Sequence, residues 1–323
     1  MYAHTTGALD SRVADVTARV YVPNSDEGTV SVIDPKTYMV IDTFKVGRNP
    51  QHIGPSWDLS TLYVSNDLGN SLTPIDPRTV RPGPPIAVTD PYNLYFTPDG
   101  RFAIVVAERL RRLDFRDPMT WELRFSIPIP YKGANHLDFS ADGQTLLISC
   151  EFSGWIVKVD LRSRAIAGEL NVSGQPIDVK LSPDGSVFYV ANMARGGVSI
   201  IDPGPMKELA FLPTGAGAHG LYPSRDTTRL YVSNRHANSV SVIDFASRRV
   251  VATWHFQGTP DMGGVSADGR ELWLSGRYSR EVYVIDTTTG TLTHRIAVGK
   301  GPHGLAYFPQ PGRYSLGHTG NYR

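Results

Sequence analysis

The chain has 323 residues, with 32 Lys and Arg against 31 Asp and Glu, so it lacks the basic surplus of a nucleic-acid binder and no such partner is expected. Its one cysteine, Cys150, excludes an internal disulfide and a thiolate metal cluster. No apolar run is long enough to cross a bilayer, and the opening "MYAHTTGALDSR" lacks the charged-then-apolar pattern of a secretory leader; no membrane role is expected, and the chain reads as cytoplasmic or as a processed periplasmic or secreted form.

Residues 1–17 form a lead-in. The first strand, "ARVYVPN", ends at Asn24, and the second, "VSVID", ends at Asp34. A third strand and the polar connection "VGRNPQ" lead to a fourth, beginning at His52. The pattern then recurs along the chain. The "LYVSN"-like runs end at Asn24, Asn66, Ala107, Cys150, Asn192, Asn234 and Gly276, in steps of 42, 41, 43, 42, 42 and 42 residues. The "VSVID"-like runs end at Asp34, Asp76, Asp114, Asp160, Asp202, Asp244 and Asp286. The step from Asp76 to Asp114 is 38 and the next is 46, which predicts a shortened loop and a compensating insertion in the third unit.

These runs are short, rich in β-branched and aromatic residues, and bounded by Gly, Asn, Asp and Pro. Corners such as Pro98-Asp99-Gly100 and Pro183-Asp184-Gly185 suit tight turns, with proline presetting φ and glycine accepting φ > 0. Helical periodicity is absent. Seven units of about 42 residues, each of four antiparallel strands, predict an all-β, seven-bladed β-propeller spanning residues 1–323. The spare strand "HGLAYFP" at 303–309 is expected to complete the first blade and so remove open sheet edges. Residues 314–323 are then a tail that leaves or caps the ring.

"VYVPN", "LYVSN", "FYVAN", "VSVID", "SPDG" and "GPHGLAY" resemble the YVTN-repeat β-propeller family, relatives of the haem d1 domain of nitrite reductases. The resemblance covers nearly the whole chain and implies the fold. Such propellers include binding, surface and cofactor-handling proteins, so function has to be argued from the site.

Connections between blades and the loops after the "YVSN" strands should share one face, opposite the stereotyped "PDG" turns. That variable face is the better place for function. Aligning the first residue of each inner strand gives His52, Asn93, His136, Asp178, His219, Met262 and His303, which ring symmetry aims at a common axis. The four histidines suit a divalent ion such as zinc, nickel or iron, or copper, for which Met262 would be a weaker ligand. They also admit a plainer reading, in which they hydrogen-bond loop carbonyls and pack beneath the mouth. Asn93, Asp178, Arg235 and His236 are candidate contacts to a small ligand, with Arg195, Arg277 and Lys300 as a cationic rim. Glu151 is a weaker candidate acid or base if the hub desolvates it. His318 has the option of folding back over the mouth.

No "CxxCH" marks a covalent c-type haem, and no phosphate loop or nucleotide fingerprint appears. The reading is therefore a propeller that binds a metal or small molecule at its histidine-rich mouth. A metal-dependent lyase, lactonase or oxidase remains one form of that reading. A protein-interaction scaffold on the loop face is the alternative, and the d1 kinship adds a metal or tetrapyrrole carrier.

Overall fold

Seven antiparallel sheets form in the computed structural model, which describes residues 7–318 and 322–323. In blade 1, Ala306–Phe308 lies beside Arg19–Asn24, followed outward by Thr29–Asp34 and Met39–Lys45. One strand from the C-terminal end thus closes the ring with three from the N-terminal end, as the spare strand predicted. Blades 2 to 7 have their inner strands at Pro50–Pro55, Asn93–Phe96, Ala134–Phe139, Pro176–Leu181, Ala218–Pro223 and Pro260–Val265. The outer strand of blade 2 is split into Arg81–Pro82 and Ile86–Ala87 around Gly83-Pro84-Pro85, where the prolines have no N–H for the ladder.

The repeated asparagine has a physical reason. Asn66 sits fully buried at the end of its strand, and its Nδ2 donates to the hydroxyls of Ser71 and Thr73, 3.2 and 2.9 Å away. Its Oδ1 accepts from the Gly47 amide at 3.0 Å. Asn234 repeats the donor pattern with Ser239 and Ser241. The "N…S.S" spelling is therefore a satisfied buried amide that ties together the hairpins that carry it. The inner strand Pro176–Leu181 is buried throughout, whereas the outer strand Ala165–Asn171 alternates, and Leu, Ile and Val pack between neighbouring blades.

The third unit is not shortened. Strand Arg112–Arg116 ends before Asp117, and Asp117 Oδ1 accepts from the amides of Met119 and Thr120, as Asp34 and Asp76 do in their own turns. Asp117 is the repeat marker. Asp114 lies within the strand and pairs with Arg112 at 2.8 Å.

As far as His318 the tail enters the channel from the "PDG" face and does not fold over the mouth. The Ser315 amide donates to Trp57 O at 3.1 Å, Phe96 N to Leu316 O at 3.1 Å, and His318 N to Leu94 O at 3.4 Å. The chain thus climbs along the inner strand of blade 3. The guanidinium of Arg323 meets Asp138 at 3.2 Å. Leu316, His318 and Tyr322 are all buried. The lead-in joins them, with Val13 and Val16 packed against Leu59 and Tyr322.

Candidate functional site

Strand pairing sets which side chains share a level in the channel. Pro50, Ala134, Pro176, Ala218 and Pro260 each face the last residue of the neighbouring strand, and Pro302 does the same with Asn24. One step further in, the first ring holds Gln51, Asn135, Ile177, His219, Asp261 and His303. The next step holds His52, His136, Asp178, Gly220, Met262 and Gly304. The expected single ring of strand-start residues is therefore two rings, with His219 and His303 in the earlier one. A one-residue slip turns a side chain to the other face of a strand. The ladder is also irregular just here on six of the inner strands or their equivalents, as between Ala134 and Leu137 or Pro260 and Gly263.

The two rings make two histidine groups. His52, His136 and His318 converge, each offering a nitrogen within 4.8 Å of the others. The His52 ring lies 5.0 Å from His136 and 4.2 Å from His318. The Nδ1–H of His52 donates to the Tyr92 carbonyl at 2.9 Å. In His136 the Nδ1–H donates to Asn135 Oδ1, and Asn135 Nδ2 donates onward to Glu151 Oε2 at 2.7 Å. Both rings are thus fixed as the Nδ1–H tautomer, and Nε2 of each is buried without a hydrogen-bond partner among the described residues. An outer partner that fixes the tautomer and aims the other nitrogen inward is the usual setting of a metal-ligating histidine. Burial, reinforced by the neighbouring histidines, holds the pKa of His52 and His136 well below the ordinary imidazole value. Burial does the same to His318. All three are neutral at pH 7, the form that ligates.

Gly304 makes the room. A Cβ there would lie 2.3 Å from His52 Cδ2 and 2.8 Å from His318 Cε1. Gly304→Ala is expected to push these rings apart, at an overpacking cost of about 1–3 kcal/mol. Thermal unfolding of the two proteins checks it, and an unchanged melting temperature would refute this role for the glycine.

The second group surrounds Asp261, which sequence reasoning missed because the alignment settled on Met262 beside it. Asp261 Oδ2 accepts from His303 Nδ1 at 2.7 Å, and Oδ1 lies 3.1 Å from His219 Nδ1 and 2.5 Å from Arg235 Nη2. Arg235 also donates to His219 Nε2 at 2.6 Å. Burial alone would raise the Asp261 carboxyl, but Arg235, His219 and His303 overcome it and hold it well below the usual range. Burial lowers His303 to about 4 despite Asp261. Both nitrogens of His219 are engaged, and Met262 Sδ sits 3.0 Å from its Nδ1. The two groups touch through His52 and His303, whose rings are 4.9 Å apart.

The remaining candidates divide. Asp178 accepts from the amides of Val179 and Leu221 and pairs with Lys180 at 3.4 Å, so it ties blades 5 and 6. Asn93 bonds Tyr95 and the Leu94 amide. His236 is exposed and lines a cleft shared with Gln175, Arg195 and Gly217, away from the histidine cluster. Glu151 is half-buried; burial raises its pKa, while Arg235 and Asn135 oppose that shift. Arg195 pairs with Glu208 at 2.7 Å, and Trp155 stacks on Tyr131.

Comparison with known proteins gives relatives by sequence and by structure. Bacillus subtilis YwhL is 25% identical over 305 residues, covering 90% of this chain; the chain spans only 65% of YwhL. The periplasmic gluconolactonase PpgL of Pseudomonas aeruginosa superposes with a TM-score of 0.75 at 19% identity, over 91% of this chain and 99% of PpgL. Dihydro-heme d1 dehydrogenase NirN superposes at 0.70 and 17% identity, over 90% of this chain and 75% of NirN. At such identities the two structures speak to fold alone. The profile of the YNCE-like beta-propellers matches residues 3–311. With the seven closed blades, that match makes this chain a member of the YNCE-like β-propeller family.

Proposed function

We propose that the hub binds a divalent first-row metal ion through His52, His136 and His318. The observation that carries this reading is the pair of buried Nε2 atoms on His52 and His136 that have no hydrogen-bond partner among the described residues, each belonging to a ring whose Nδ1 is held by a carbonyl oxygen. A buried acceptor left without a partner costs about 1–3 kcal/mol, and a shared cation satisfies both. Three imidazoles suit zinc, copper, nickel or iron and leave a position open, as in zinc sites that activate water. Such a centre suits hydrolysis of a polarised carbonyl, and the gluconolactonase name of PpgL supports that reaction class for a propeller of this shape.

Metal analysis of untagged protein tests the proposal. One equivalent of metal is expected at purification or after adding zinc, with saturation at a hundredfold excess over Kd stabilising by about 2.7 kcal/mol. His52→Ala and His136→Ala should abolish the uptake, and His219→Ala should keep it. Metal-free protein whose melting temperature ignores zinc, copper and nickel would remove the metal, as would equal loss in all three variants. A scaffold role has one observation of its own: Phe152 and Tyr278, on loops of the variable face, are 61% and 66% exposed.

A further inference from the structure

The residue after the second strand of each blade forms a third ring above the histidines. On six blades, including those of Asp67, Glu151, Arg235 and Arg277, its amide donates to the carbonyl before the inner strand, which holds these side chains at the mouth. The ring is divided by charge. Blades 2, 3 and 4 carry Asp67, Glu108 and Glu151, whereas blades 6 and 7 carry Arg235 and Arg277.

Some of these charges are compensated. Arg109 pairs with Asp67 at 3.4 Å and Asp90 at 2.6 Å, and Arg235 is matched by Asp261. Others are not. Among the described residues, Glu151 has Asn135 as its only hydrogen-bonded partner, and Glu108 forms no ion pair. Arg277 spends its guanidinium on neutral acceptors, Ser25 Oγ at 3.0 Å and Gly301 O at 3.1 Å. Among the described residues, acid without an ion-pair partner therefore stands on one arc of the mouth and a guanidinium without one on the other. The Tyr92 ring lies 5.2 Å from His52 and 6.5 Å from His136, and burial together with Glu151 and Glu108 raises its phenol while Arg277 and Arg235 oppose the shift. Burial and Asp67 push Glu108 up to about 7, and a neighbouring cation would favour its ionised form.

We infer that the funnel takes a small amphoteric molecule, with an ammonium end over Glu108 and Glu151 and a carboxylate end at Arg277. This deepens the proposed function, since it rests on the histidine hub being the binding site, and it names the ligand class. Opposite poles on one mouth fix orientation as well as affinity, and a guanidinium suits a carboxylate by its paired donors. A molecule with one charge meets one favourable arc and one indifferent or repulsive arc.

The test is calorimetry with ω-amino acids of increasing chain length, against the monoamine and monocarboxylate of matching length, with and without one equivalent of zinc. At least one amino acid should bind about tenfold or more tighter than both singly charged partners. Arg277→Gln should reduce that compound to the affinity of the monoamine, and Glu108→Gln should reduce it to that of the monocarboxylate. Both variants should keep zinc uptake. If no length exceeds its singly charged partners, or if neither substitution closes the gap, the inference is overturned. Zinc uptake without the gap would sink this inference alone; the gap without zinc uptake would sink only the metal reading.

Discussion

Asp261→Ala is expected to lower the free energy of unfolding by about 3–5 kcal/mol, the usual cost of removing one partner from a buried ion pair. Asp261 is fully buried and Arg235 nearly so. Truncation strands the guanidinium in the hub and takes the acceptor from His219 and His303 together. The charge is the main loss, so Asp261→Asn should recover little of it. Removing both charges, as Arg235→Met with Asp261→Leu, should recover much of the stability, because a buried pair replaced by apolar groups is often neutral. A double-mutant cycle from urea unfolding measures the coupling. A loss under 1 kcal/mol for Asp261→Ala would show that water or rearranged neighbours solvate Arg235 in the folded protein.

Ending the chain at Gly312 is the second large change, expected to cost several kcal/mol and, on the proposed metal reading, to remove zinc uptake as well. Leu316 and Tyr322 are buried among residues of the channel and lead-in, and burying a side chain of this size is worth about 1.5–3 kcal/mol. The truncation also leaves Asp138 without Arg323 and takes away His318. Leu316→Ala separates packing from ligation. It should destabilise by about 2–5 kcal/mol while leaving zinc stoichiometry at one, and His318→Ala should do the reverse. Unfolding curves and zinc titrations on the three variants check this. A truncated chain that still binds zinc as the intact one does would exclude His318 from the ligand set.

Most of the fold was legible in the chain because each blade imposes the same local demands. Asn66 and Asn234 recur because each must satisfy a buried amide with hydroxyls five and seven residues later. Closure of blade 1 was legible as well, since a lone inner-type strand at one end and a missing one at the other have a single economical pairing. Where the spelling loosened, the reading slipped. "DFRDP" offers two aspartates, and the sheet ends at Asp117 because Asp114 is needed inside the strand to meet Arg112 and Arg116.

The candidate site was half legible. The concentration of histidines at strand starts pointed to the hub, and the hub is where His52, His136, His219 and His303 lie. Their division into two groups was not readable, because "PQH", "ANH", "GAH" and "GPH" look alike unless the ladder registers are known. His318 and Asp261 had weaker signals still: one sits in a tail with no repeat to align it, and the other lies one residue from a more conspicuous methionine.

Period, strand order, blade number and closure thus belong to the linear chain, since they follow from local hydrogen bonding, alternation and turn chemistry repeated about every 42 residues. The pairing of His52 with His136 and His318, and of His219 and His303 with Asp261, belongs to the tertiary structure. These contacts join residues from different blades and from the tail, and their geometry depends on a one-residue register that local patterning does not encode. The divided charge of the mouth lies between the two. Asp67, Glu108, Glu151, Arg235 and Arg277 occupy one repeat position in the chain, but only the closed ring sets acid and guanidinium across a common opening.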